Sequence, residues 1–67
     1  MMTVTQWFNA IDKPAYSGVY QRLHADEITY SYWNGKYWLY SGRTDYEAME
    51  STSLSNTQIA LWRGIAK

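Results

Sequence analysis

The chain has no cysteine, a single proline (Pro14) and a single histidine (His24) in 67 residues. Disulfides and cysteine-ligated zinc or iron–sulfur centres are therefore excluded. No basic cluster is present: Lys13, Arg22, Lys36, Arg43, Arg63 and Lys67 are scattered, and six acids balance them to zero net charge. Duplex nucleic acid binding draws on clustered lysine and arginine, so this balance argues against it. No apolar run approaches the ~20 residues of a membrane span. Met1 to Gln6 lack the basic stretch and apolar core of a signal peptide, which points to a soluble cytoplasmic protein. The four glycines (Gly18, Gly35, Gly42, Gly64) are isolated, so no phosphate-cradling loop is present.

Aromatic residues, by contrast, are abundant, at 18% of the chain. A domain this small buries only about 60% of the surface its unfolded chain exposes. Without disulfides, its stability must come from apolar burial, and each aromatic side chain can bury roughly 150–250 Å². Self-association is the other source of stability. No linker or repeat divides the chain, so residues 1–67 read as one domain.

The aromatics concentrate in Tyr30-Ser31-Tyr32-Trp33-Asn34-Gly35-Lys36-Tyr37-Trp38-Leu39-Tyr40. Asn-Gly suits a two-residue type I′ turn, whose central positions both need positive φ. That turn would set Trp33 opposite Lys36 and Tyr32 opposite Tyr37. Strands are expected at Val19–His24, Glu27–Trp33 and Lys36–Ser41, the first two joined at Ala25-Asp26. Period-two alternation then defines two faces. Val19, Leu23, Ile28, Tyr30, Tyr32, Tyr37 and Leu39 share the first. Tyr20, Arg22, His24, Trp33, Lys36, Trp38 and Tyr40 share the second. The first holds every aliphatic residue of the meander and is the one expected to be buried.

Trp7 and Phe8 lie in an opening segment that fits a short strand or a helical turn, ended by Pro14. Thr44-Asp45-Tyr46-Glu47 has capping-box spacing, so a helix is expected from about Asp45 to Glu50, with Glu47 reaching back to the cap's N–H. Gln58–Arg63 fits a last strand, with Gly64 as a break; a helix over Asn56–Ile65 is the alternative. The fold class is α+β: a small antiparallel meander of three to four strands, with one short helix before a C-terminal strand.

No catalytic constellation emerges. His24 would face Glu27 across a tight turn, which allows a base–carboxylate pair but equally a solvated strand end. Asp45, Glu47 and Glu50 on one helix could hold a hard cation, or simply form a wet helix face. No nucleophile motif accompanies them. Neither a metal nor another cofactor is expected, nor an enzymatic activity. The distinctive feature is the second face, where Tyr20, Arg22, Trp33, Trp38 and Tyr40 would form a contact surface with nearby cations. Three readings compete for it. It could be a second buried layer, a protein-binding surface, since Trp, Tyr and Arg are enriched in hot spots, or a platform that stacks single-stranded bases or sugars. A symmetric second copy could also supply cover, as a homodimer.

The order of landmarks loosely resembles a class of small phage and prophage proteins of unknown function. These are Trp7, Pro14 with Gly18-Val19-Tyr20, the aromatic hairpin Tyr30 to Tyr40, and Ala60-Leu61-Trp62-Arg63-Gly64. The resemblance implies an accessory protein in the bacterial cytoplasm that acts by binding a host or phage protein. It carries over no catalytic residue.

Overall fold

A computed structural model describes residues 3–66. Met1, Met2 and Lys67, and with them part of the amino-terminal stretch read above, lie outside the described residues. The elements are β1 (Thr3–Val4), β2 (Gly18–His24), β3 (Glu27–Trp33), α1 (Asp45–Glu50), β4 (Leu61–Arg63) and β5 (Ile65–Ala66). All strand pairs are antiparallel, with order β3-β2-β4 in one sheet and β1-β5 in a second. The class is α+β.

The β2–β3 hairpin has the expected register, from Gly18 opposite Trp33 to His24 opposite Glu27. Its turn is Ala25-Asp26, and both residues have positive φ (51° and 64°), as a type I′ turn demands. The Asn34-Gly35 expectation requires correction. Trp33 faces Trp38, not Lys36, and residues 34–37 form a longer loop. Of Asn34 and Gly35, only the glycine has positive φ. Two local forces favour this geometry. Asn34 Oδ1 accepts from the backbone N–H groups of Lys36 (2.8 Å) and Tyr37 (2.7 Å), which closes the loop by side chain. The wider loop also brings the Trp33 and Trp38 rings to 5.1 Å. The slip is two residues, and an even slip leaves Trp38 and Leu39 on their expected faces, whereas Lys36 and Tyr37 fall into the loop.

The expected third strand, Lys36–Ser41, is only a broken ladder. Trp38 and Gly42 bridge to Trp33 and Tyr30, so four steps on this segment match three on β3. The extra residue makes a bulge near Tyr40-Ser41. The segment's other edge is held by Ser53 to Ser55, through Tyr40 N to Ser53 O (2.8 Å) and Ser55 N to Trp38 O (2.9 Å). The C-terminal strand is shorter than expected, Leu61–Arg63, with Gly64 separating it from β5. Phe8 pairs with Trp62 on its outer side.

At the start of α1, Thr44 Oγ1 accepts from Glu47 N (3.2 Å). Glu47 Oε1 accepts from Arg43 N, one residue before the cap rather than the cap itself. Gly42 lets the helix approach the sheet closely. A Cβ at that position would lie 2.5 Å from Glu47 Cβ.

The buried face is the second one, which overturns the expectation that the aliphatic face is inside. Trp33, Trp38 and Trp62 form the core, with Phe8 and Tyr20 packed against it. Phe8 stacks on Trp62 at 4.6 Å, and Tyr20 meets Trp62 and Trp38 edge-on at 5.4 and 5.9 Å. Indole rings remove more apolar area from water than Val, Leu or Ile can, so the aromatic face has the larger drive to be covered. Its cover is two irregular segments. Residues 9–17 lie over one side: Asp12 O accepts from Trp62 Nε1 (2.7 Å), Tyr16 O accepts from Tyr20 Oη (2.7 Å), and Pro14 is buried. Residues 55–60 lie over the other. There Gln58 Oε1 accepts from Trp38 N and Gln58 Nε2 donates to Trp38 O, both at 2.8 Å.

Candidate functional site

The five residues expected to form a contact surface divide sharply. Arg22, Trp33 and Trp38 are 2%, 4% and 0% exposed, and Tyr20 is half-buried in the same cluster. Only Tyr40, at 60%, is open to solvent. The sheet brings the first four together and leaves Tyr40 apart, because the bulge takes it out of the regular ladder.

Arg22 is a buried cation. Its Nη2 donates to Thr57 O (2.7 Å) and its guanidinium lies 4.7 Å from the centre of the Trp38 ring. Its Nε and the Trp38 Nε1 have no hydrogen-bond partner among the described residues. Burial pulls the guanidinium down to about 10. The same cause holds the Tyr20 phenol above its ordinary value. Arg22 thus ties the 55–60 segment to the sheet through a carbonyl and a ring face.

His24 and Glu27 do face each other across the Ala25-Asp26 turn, and both are exposed. Among the described residues, no group of three or more His, Asp or Glu side chains is placed to hold a metal ion. No described helix is long and apolar enough to cross a membrane.

The first face carries what the sequence expected to find inside. Helix α1 covers one end of it. A pocket of about 190 Å³ remains there, lined by Gly18, Val19, Tyr32, Asp45, Met49 and Ile65. The middle row is polar and locked: Arg63 Nε donates to Gln21 Oε1 (2.7 Å), Gln21 Nε2 donates to Tyr30 Oη (3.2 Å), and Arg63 stacks over Trp7 at 4.4 Å. The far end is an aliphatic row. Leu61, Leu23 and Ile28 sit side by side across β4, β2 and β3. Ile28 is 50% exposed and Leu61 37%, with Leu23 between them half-buried. Sequence reasoning placed Leu23 and Ile28 on one face correctly but expected that face to be covered.

Two separate cation–ring contacts involve Trp33 and the loop that follows it. Lys13 Nζ rides 5.7 Å from the Trp33 ring and Lys36 Nζ 5.3 Å from the Tyr37 ring, with Tyr16 and Tyr37 exposed. No family model, no curated protein and no solved structure matches this chain.

Proposed function

We propose that this chain is a non-enzymatic accessory protein of a phage or prophage, acting in the bacterial cytoplasm by contact with another protein, a host factor that it inhibits. The observation that supports contact is the open aliphatic row Ile28, Leu23 and Leu61. Contiguous apolar surface on a soluble domain is a common mark of an interaction site. The phage setting rests on the order of landmarks in the sequence.

The test is affinity capture with the wild type and with the double variant Ile28→Lys/Leu61→Lys. Both positions are open enough to take lysine, and near-UV circular dichroism checks that the tryptophan core survives. The reading expects one stoichiometric partner that is lost with the double variant. A partner retained by the folded variant overturns the surface assignment. A second copy as the partner shows as a concentration-dependent mass that the same variant reduces to the monomer.

Single-stranded nucleic acid is the second reading. It is favoured by the exposed Tyr37 with Lys36 over its ring, and by the exposed Tyr16. It expects oligonucleotide binding that weakens steeply with salt and is lost with Tyr16→Ala/Tyr37→Ala.

A further inference from the structure

Asn34 and Gly35 lie in the exposed loop that joins Trp33 to Trp38. The backbone nitrogen after an asparagine can attack that asparagine's own side-chain carbonyl carbon, and a following glycine hinders the approach least. No residue beyond its chain neighbours crowds Gly35: a Cβ built there meets nothing else within 4 Å. The structure adds a second feature. Asn34 Oδ1 accepts hydrogen bonds from Lys36 N at 2.8 Å and Tyr37 N at 2.7 Å. Two preset N–H donors on a carbonyl oxygen draw charge from its carbon. They also stand where negative charge grows as a nucleophile adds.

We propose that Asn34-Gly35 is a site of self-directed covalent modification, where the loop's own backbone promotes conversion of Asn34 to aspartate or isoaspartate. The Gly35 backbone N–H gives its proton to solvent, and the nitrogen forms a bond to Asn34 Cγ. The Cγ–Nδ2 bond breaks, and that nitrogen leaves as ammonia after taking up a proton. Water then adds across one of the two imide C–N bonds. Nothing is oxidised or reduced, and water is the only co-reactant.

The two products differ structurally. Aspartate keeps the main chain, and its carboxylate still accepts from Lys36 N and Tyr37 N, now with charge assistance. Isoaspartate inserts a carbon into the backbone of the loop that sets Trp33 opposite Trp38. Either product lowers the formal charge from zero by one, next to Lys36.

The chain supplies its own controls, because Asn9 and Asn56 are also exposed and are followed by Ala10 and Thr57. The full-length protein is held at mildly alkaline pH, folded and in urea. Peptide mapping by mass spectrometry then follows the loss of each asparagine amide. The proposal expects Asn34 to convert several-fold faster than Asn9 and Asn56, and at least as fast in the folded chain as in urea, because the donor pair on Oδ1 belongs to the fold. Slower conversion in the folded chain than in urea would show that the loop protects Asn34 and would overturn the proposal. So would a rate at Asn34 no higher than at the other two.

Discussion

The turn between β2 and β3 places an alanine where its backbone does not fit well. Ala25 has φ 51° and Asp26 φ 64°. The left-handed region costs an ordinary L-residue roughly 1–2 kcal/mol, and less for Asn, Asp or Gly. The Ala25→Asn/Asp26→Gly variant installs the pair that a type I′ turn favours. Asparagine recovers part of the strain at position 25. Glycine removes the strain at 26 but enlarges the unfolded ensemble, which takes back roughly 0.4–1 kcal/mol. The net expectation is a gain of roughly 0.5 kcal/mol. For a domain of this length that corresponds to a rise in Tm of about 2–4 °C. Thermal melting followed at the tryptophan near-UV bands, with a urea titration at unchanged m-value, reads the effect. A Tm at or below that of the wild type refutes the reasoning, since it would mean that Ala25 is not strained.

Gly42→Ala should destabilise the domain by about 1–3 kcal/mol through overpacking, because the new methyl would sit 2.5 Å from Glu47 Cβ; the urea midpoint measures it, and a midpoint equal to the wild type's would deny the close approach of α1. Asn34→Ala removes both side-chain bonds that close the 34–37 loop and should lower stability by about 1 kcal/mol at this exposed site. Its melting curve would then fall below that of the wild type. Arg22 binds its proton less tightly in the folded chain than in the unfolded one, so the cost of burying the cation is fully present below about pH 10 and is relieved as pH rises through that value. Wild type should therefore lose less stability than Arg22→Met between neutral pH and pH values above about 10; parallel declines of the two proteins would contradict this. The raised Tyr20 value works the other way and is common to both proteins.

Several features were legible from residues near one another in the chain. The β2 and β3 spans follow from their β-branched and aromatic runs, and the Thr44 to Glu47 spacing marks a helix start. Period two assigned side chains to faces, and for β2, β3, Trp38 and Leu39 that assignment survived the two-residue error at Asn34-Gly35, because parity is blind to an even slip; beyond Leu39 the bulge broke it. The loop itself was misread because Asn-Gly supports two solutions. The competing one draws on hydrogen bonds from Asn34's own side chain and on a ring contact between Trp33 and Trp38.

Which face is inside could not be read locally. A strand presents two faces, and burial depends on what arrives to cover each. Here the cover comes from residues 9–17 and 55–60, whose attachments are a carbonyl over Trp62, a carbonyl over Arg22 and a glutamine clasping Trp38. Such contacts join residues 20 to 50 positions apart and leave no periodic trace in the sequence. The sequence by itself determined the β2–β3 hairpin and its register, the short helix and the reliance on aromatic side chains. Only the tertiary structure decided that the tryptophan face turns inward and an aliphatic row turns outward, because two irregular segments offer their backbone oxygens to the face with the most area to hide.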